Sequence, residues 1–111
     1  MTEIKTNIDR MVDMIKDCAE FRRYRDISSK VQEYPEKKKR LFEFRRKNYL
    51  LQNSEEQIDL FSESDRLMKE YQDVYNDPML REFLEAEVKV CRIVQQVNEE
   101  LIRCLEFEEV L

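Results

Sequence analysis

The stretch Asn76–Leu101, NDPMLREFLEAEVKVCRIVQQVNEEL, decides the fold, because no helix breaker follows Pro78 within it. Asp77 is a favourable N-cap and Pro78 a favourable first helical residue, so a last helix is predicted over residues 77–106. At about 100° per residue, its apolar positions cover an arc of roughly 220°, about twice the stripe of an ordinary surface helix. One neighbouring helix cannot cover that arc. The helix is therefore expected to lie centrally in a bundle or to meet another chain.

The length of this helix favours contact with another chain. About 30 helical residues extend roughly 45 Å, whereas a compact domain of this size is roughly 35 Å across. Long helices in a short chain bury little core per residue, so a second chain, most simply a second copy, is expected to complete the core. The residues expected at this interface are Leu80, Phe83, Leu84, Glu87, Val90, Cys91, Val94, Val97, Asn98 and Leu101.

Two polar residues, Glu87 and Asn98, lie within the apolar arc. A buried charge must be paired or hydrogen-bonded, because its desolvation otherwise costs about several kcal/mol. The candidate partners of Glu87 are Arg22, Arg25 and Arg45, which lie at or near apolar stripes of the upstream sequence. We interpret the two polar residues as setting the register between helices, and a functional role for Glu87 is the alternative.

The composition of the whole chain predicts helices joined by few turns. The 111 residues contain no Gly and two Pro, and charged and hydrophobic residues each make up 41%. Such a composition is typical of long amphipathic helices. The length fits a single helical domain, residues 1–111. Besides the last helix, the punctuation at Tyr34-Pro35 predicts helices over about 2–34 and 35–75, and a break of the second near 53–54 is left open.

The first predicted helix carries two apolar stripes in succession. Its two halves are therefore expected to face different neighbours, and a kink near Glu20 is the alternative. The whole pattern predicts an all-α fold, an elongated antiparallel hairpin or bundle of three to four long helices, completed by oligomerisation. The first stripe comprises Ile4, Ile8, Met11, Ile15 and Cys18, and the second Tyr24, Ile27, Val31 and Tyr34.

No pattern of catalytic residues is found in the sequence, so the protein is predicted not to be an enzyme. The chain has no His, the commonest general base, and no Gly-rich phosphate loop. Its three cysteines, Cys18, Cys91 and Cys104, are an odd number at wide spacing and fit reduced thiols better than a disulfide framework. They also fall short of the four ligands that a structural metal site usually needs. No metal or other cofactor is predicted. An iron–sulfur or redox-responsive subunit, acting through Cys91 and Cys104, is an alternative function.

A basic run, EKKKRLFEFRRK over residues 36–47, is the other marked feature of the sequence. The plain interpretation is a solvated helix face, and contact with RNA or with an acidic partner is the alternative. The net charge of −5 disfavours direct nucleic-acid binding. The candidate contacts for a partner or RNA are Lys38, Lys39, Arg45 and Arg46.

The expected location follows from hydropathy. No apolar run approaches the roughly 20 residues of a membrane span. The first residues, MTEIKTNIDRM, are polar and lack the apolar core of a signal peptide. The sequence therefore predicts a cytoplasmic protein without a membrane span.

Three blocks of the sequence together resemble the YlbF/YmcA family of small bacterial helical proteins. They are AEFRRYRDISSKVQEYPE at 19–36, LFEFRRKNYLLQ at 41–52 and KEYQDVYNDPMLREFLEAEVKVCRIVQQVNEEL at 69–101. The resemblance implies an all-helical fold, self-association as a homodimer or a hetero-oligomer with a related helical protein, and no enzymatic activity. It also implies a cytoplasmic regulator of competence, sporulation and biofilm formation. Such regulators act in a complex, associated with iron–sulfur clusters, that directs an endoribonuclease in mRNA processing.

Overall fold

The computed structural model describes residues 1–54 and 59–106, and all regular secondary structure in these ranges is helical. The all-α prediction is thereby confirmed. The number of helices differs from the three to four expected, because two of the predicted long helices are divided. The described helices are α1 (Thr2–Asp17), α2 (Ala19–Gln32), α3 (Pro35–Gln52), α4 (Leu60–Glu70), α5 (Gln72–Asn76) and α6 (Pro78–Leu105).

The first predicted helix is divided at Cys18. Its backbone is extended there, with φ −73° and ψ 156°, and its amide bonds the Ile15 carbonyl at 3.1 Å. This hydrogen bond spans three residues, as in a 3₁₀ turn, so the last turn of α1 is tightened and the helix ends there. The prediction of one continuous helix over 2–34 was wrong on this point, and the break lies two residues before Glu20, where the alternative placed a kink.

The second predicted helix is also interrupted. Helix α3 ends at Gln52, and α4 begins at Leu60, where the carboxylate of Asp59 accepts hydrogen bonds from the amide and hydroxyl of Ser62. The sequence offers a capping box from Ser54 to Gln57 at this break, and Gln57 lies outside the described part of the chain. A further interruption at Tyr71, with φ −113° and ψ 34°, separates α4 from α5.

The start of α6 confirms the sequence prediction. Asp77 is extended, with φ −80° and ψ 116°, and its Oδ1 accepts hydrogen bonds from the amides of Met79 at 2.9 Å and Leu80 at 3.3 Å. Two amides that have no partner inside the helix are thereby satisfied. The other carboxylate oxygen of Asp77 lies 2.7 Å from Nζ of Lys37, so the same side chain ties α6 to α3.

These contacts make the Asp77 cap pH-dependent. Burial raises the pKa of Asp77, but the hydrogen bonds from Lys37 and from the amides of Leu80 and Met79 outweigh it, and the pKa is lowered. A carboxylate with a lowered pKa contributes stability that is fully present above the unfolded pKa, about 3.9, and lost as the pH falls through its folded pKa.

Two variants separate the cap from the charge. Asp77→Asn keeps a capping oxygen and loses the charge, so it should cost less than about 1 kcal/mol of unfolding free energy at pH 7. That difference from the wild type should shrink as the pH falls through the folded pKa of Asp77, which lies below its ordinary value. Asp77→Ala also loses the cap and should cost about 1 kcal/mol more at either pH. Urea unfolding at pH 7 and pH 3 measures both effects, and equal losses for the two variants at pH 7 would contradict the capping role.

The chain divides into two compact units, to which α2 and α6 both contribute. The core unit is residues 27–84. The terminal unit is residues 1–26 together with the chain from Glu85 onward.

The core unit contains a packed interior. Its helices α3, α4 and α5 contact one another, and the Phe44 ring packs against Tyr71 and Tyr75, with ring centroids 5.7 and 5.2 Å apart. Such tilted and edge-to-face ring pairs add stability beyond the area they bury. The buried side chains of this unit are Ile27, Val31, Leu41, Phe44, Leu67, Tyr71, Val74, Leu80 and Phe83.

The terminal unit is built differently. Helix α1 has no buried residue, and α6 has none after Ala86 within its described length. The carboxylate of Glu20 accepts hydrogen bonds from its own backbone amide and from Cys18, and it lies near Lys89. These interactions lower the pKa of Glu20. Among the described residues of this unit only Ala86 is buried, so the unit covers far less apolar surface than the core unit.

Candidate functional site

The predicted interface on α6 divides between the two units. Leu80 and Phe83 are only 2% and 4% exposed, and Leu84 is half-buried. The first two are therefore core residues of a single chain and cannot contribute surface to an interface. The expectation that they meet another chain is corrected by this burial, since α6 turns their side of the helix toward the core unit's own interior.

The rest of the predicted interface lies in the terminal unit and is accessible. Val94 is 53% exposed and Leu101 52%, while Val90 and Val97 are half-buried. Cys91 and Asn98 are exposed, and Glu87 is half-buried. These positions keep an apolar surface along the second half of α6.

Helix α1 adds a second set of exposed apolar side chains that the predicted site omitted. Ile4, Ile8 and Met11 recur at spacings of four and three, so they share one face of α1, and each is exposed. The sequence pattern contained this information, because a strongly amphipathic helix needs a neighbour to cover its stripe. We name six of the exposed apolar side chains of the terminal unit the terminal apolar surface: Ile4, Ile8, Met11, Val94, Leu101 and Leu105.

The basic run lies on α3. The cations on one side of this helix form ion pairs with Asp and Glu side chains. Arg40 donates two hydrogen bonds to Asp73, at 2.9 and 2.8 Å, in the bidentate geometry that favours Arg–carboxylate pairs. Lys47 lies 2.8 Å from Glu70, and Lys37 bonds Asp77 as described above. The cations on this side of α3 thus pair with acids of α4, of α5 and of the N-cap of α6.

The pKa values on this side reflect the same pairs. The hydrogen bonds that Arg40 donates to Asp73 hold the pKa of Asp73 below its usual value and raise the pKa of Arg40. The hydrogen bond to Glu70 raises the pKa of Lys47. Because these groups are largely exposed, solvent screening leaves each pair a small contribution to stability.

On the other side of α3, Lys38, Lys39 and Arg46 form no ion pair with a carboxylate of the described residues. Lys39 and Arg46 are exposed there, and Lys38 bonds the neutral amide of Gln32. The half-exposed ring of Phe42 has Lys38 at 5.7 Å and Arg45 at 5.6 Å from its centroid, and Arg45 also lies 5.8 Å from the Phe83 ring. Of the four predicted contacts, Lys39 and Arg46 are thus the most accessible, whereas Lys38 and Arg45 are half-buried.

The cysteines do not fit an iron–sulfur cluster within one chain. Cys18 is half-buried, and Cys91 and Cys104 are exposed; all three are free thiols. Cys104 lies beside Glu100 and Arg103, which is not a set of cluster ligands. Among residues 1–54 and 59–106, no three Cys, His, Asp or Glu side chains group to hold a metal ion.

A cleft of about 220 Å³ opens between α3 and α4. The charged residues that line it form ion pairs with one another, Lys47 with Glu70 and Arg66 with Glu63. The cleft contains no nucleophile, and its acidic and basic side chains are already in ion pairs. Its geometry therefore does not indicate catalysis. The residues that line it are Lys47, Leu51, Glu63, Arg66, Leu67 and Glu70.

These features define the class of protein. It is an all-helical protein whose chemically distinctive features are an exposed apolar surface on the terminal unit and a basic face on α3. None of the helices in the described ranges is both long and apolar enough to cross a membrane.

The chain belongs to the family described as "Control of competence regulator ComK, YlbF/YmcA", which matches residues 4–106. The match confirms the resemblance that the three sequence blocks carry, and it covers nearly the whole chain. The family is a regulatory one, linked through ComK to the control of competence. No curated protein and no solved structure matches the chain.

Proposed function

We propose that the chain is a non-enzymatic regulator that acts by binding other protein chains through its terminal apolar surface. Its first partner is a second copy or a related member of the same family, and the assembly takes part in the control of competence that the family name describes. A role in sporulation, biofilm formation and endoribonuclease-dependent mRNA processing is the wider proposal that the family resemblance supports.

The uneven burial of apolar side chains is the observation that supports this function. In the core unit, Leu41 and Val74 are 0% exposed, whereas Ile4 of the terminal unit is 58% exposed. Monomeric soluble proteins rarely expose large contiguous apolar patches, and exposed ones commonly mark sites of protein interaction. Two helices of the same unit, α1 and α6, carry such side chains, so the proposed interface is built from both.

Covering the apolar side chains of this surface offsets the free-energy cost of bringing two chains together. Covering the remaining exposed half of an Ile, Val or Leu side chain contributes roughly 1 kcal/mol. In a symmetric dimer each such side chain counts twice, since both copies present the same surface. The six residues of the terminal apolar surface therefore supply a favourable term of roughly 10 kcal/mol, comparable to the cost of bringing two chains together.

The polar positions of this surface give the interface its register. Asn98 is exposed in the single chain and Glu87 is half-buried, and both lie between apolar neighbours on α6. A polar group that must find a partner across a helical seam disfavours alternative registers. We therefore propose that Asn98 helps to select the partner and its alignment, whereas Glu87, which already interacts within the single chain, sets the register between helices and takes no part in chemistry.

Absolute mass in solution tests this proposal. Multi-angle light scattering over a dilution series, at low and high salt, should give at least twice the chain mass of 13.7 kDa. The mass should persist at high salt, because apolar burial is not screened by ions. A mass of 13.7 kDa at every concentration would contradict self-association and leave only a different protein as the partner.

A further inference from the structure

The outer side of α3 carries a second, separate binding surface, which we name the basic face: Lys38, Lys39, Phe42, Arg46 and Tyr49. We propose that the basic face binds an acidic amphipathic helix of a partner protein. This inference goes beyond the proposed function, because the basic face belongs to the core unit and the terminal apolar surface to the other unit.

The positions of these residues form one continuous face. Lys39 and Arg46 are seven residues apart, as are Phe42 and Tyr49, and seven residues return to nearly the same side of an α-helix. With Lys38 they fall within an arc of about 100°. The acids of α3 lie elsewhere, and Glu43 accepts a hydrogen bond from Arg40 on the side that faces Asp73.

Charge is the first argument for an acidic partner. The cations on the inner side of α3 each meet a carboxylate, Lys37 with Asp77, Arg40 with Asp73 and Lys47 with Glu70. Lys39 and Arg46 form no ion pair with a carboxylate of the described residues. A face on which cations are left without acids, in a chain whose net charge is −5, is complementary to an acidic segment.

The aromatic rings are the second argument. Phe42 is 44% exposed and Tyr49 67%, although large apolar rings normally lose most of their surface on folding. Their seven-residue spacing places them about 10 Å apart along α3. An amphipathic helix presents apolar side chains at the same repeat, so two of its residues can meet the two rings.

The contacts of Phe42 argue against single-stranded RNA as the occupant. A base binds by stacking on the face of an aromatic ring. Lys38 and Arg45 already lie over the Phe42 ring, at 5.7 and 5.6 Å from its centroid. The net charge of −5 also repels a polyanion of high charge density, whereas a short acidic helix carries only a few charges near the surface.

Fluorescence anisotropy with three labelled probes tests the assignment. The first is an 18-residue helical peptide with leucines seven residues apart, flanked by glutamates. The second has lysines in place of those glutamates, and the third is a 20-nucleotide single-stranded RNA. The full-length protein should bind the acidic peptide and neither of the others, and raising the salt concentration should weaken that binding.

Charge reversal on the basic face provides the decisive comparison. Lys39→Glu combined with Arg46→Glu should weaken binding of the acidic peptide at least about tenfold, because two attractive contacts become repulsive. The matched control, Lys30→Glu combined with Arg81→Glu, makes the same change of net charge at exposed sites off this face and should leave binding nearly unchanged. Tyr49→Ala removes one ring without a change in charge and should also weaken binding.

Each other result would overturn the assignment. In the first two, the acidic peptide fails to bind the wild type, or it binds the wild type and the charge-reversed protein equally well. The other two results are that the control variant loses as much peptide binding as the charge-reversed protein, or that the RNA binds more tightly than the peptide. Circular dichroism verifies that each variant is folded, and Lys39→Gln with Arg46→Gln replaces the reversal if it is not. Light scattering on the same samples measures self-association separately, so a failure of the proposed function is distinguishable from a failure of this inference.

Discussion

Replacing Val94 by aspartate is expected to convert the assembly into single chains. Val94 lies 53% exposed on the terminal apolar surface, between Val90 and Leu101 along α6. In the proposed interface an aspartate there would be removed from water without a partner, which costs about several kcal/mol. In a symmetric dimer the substitution occurs twice, and both charges have the same sign. Light scattering should therefore show the mass fall to 13.7 kDa.

The matched control for this substitution is Gln96→Asp. Gln96 is exposed and lies about 160° around α6 from Val94, so the same charge is added on the opposite side of the helix. The control should keep the mass of the wild type, and both proteins should keep their helical circular dichroism. An unchanged mass for Val94→Asp would show that the second half of α6 is not part of the interface.

Truncating Leu41 to alanine is expected to cause the largest loss of stability. Leu41 is 0% exposed in the core unit, on the same helix as Phe44, which packs against Tyr71. Removing a fully buried leucine side chain loses its transfer free energy and leaves a cavity, at a total cost of about 2–5 kcal/mol. Urea unfolding followed by far-UV circular dichroism should show a lower midpoint for the variant.

Leu50→Ala on the same helix is the comparison for this loss. It makes the same chemical change at a side chain that is 56% exposed, so its cost should stay below about 1 kcal/mol. Both substitutions put the better helix former in place of leucine, so helix propensity cannot explain a difference between them. Equal midpoints for the two variants would contradict the burial of Leu41.

Much of this fold could be predicted from the sequence, because the strongest sequence features are local. The Asp77-Pro78 pair specifies a helix start by capping and fixed φ, and both effects act within one turn. The absence of Gly and the repeating apolar positions predict helices wherever the chain is described. The buried positions Leu41, Phe44, Leu67, Tyr71 and Val74 all lie on stripes visible in the sequence.

The break at Cys18 could not be predicted with the same certainty. No proline or glycine marks it, and the apolar stripe continues from Ile15 to Cys18 before it changes face. The backbone of Cys18 is extended, with φ −73° and ψ 156°, and no neighbouring residue type accounts for that conformation. The change of stripe showed that residues 2–34 form two segments. It did not show whether these are halves of one straight helix with different neighbours or are separated by a break in the helix.

The candidate site was predicted in part for a related reason. Periodicity shows which side of α6 is apolar, but not which segment of that side the chain itself covers. Leu80 and Phe83 are covered by the core unit, whereas Val94 and Leu101 further along the same arc are exposed. On α3 the sequence showed the number of cations, and only the structure separates those that meet Asp73, Asp77 and Glu70 from Lys39 and Arg46.

The uneven distribution of buried side chains also has a consequence for the lifetime of the protein in the cell. Segments with few buried contacts open at low free energy, and proteases act on such open forms. Helix α1 has no buried residue, so chains whose apolar surface is uncovered should be degraded first, starting from this helix. A partner that covers the surface would protect the chain by mass action. The cellular amount of the protein would then follow the amount of its partner, without a separate control of synthesis.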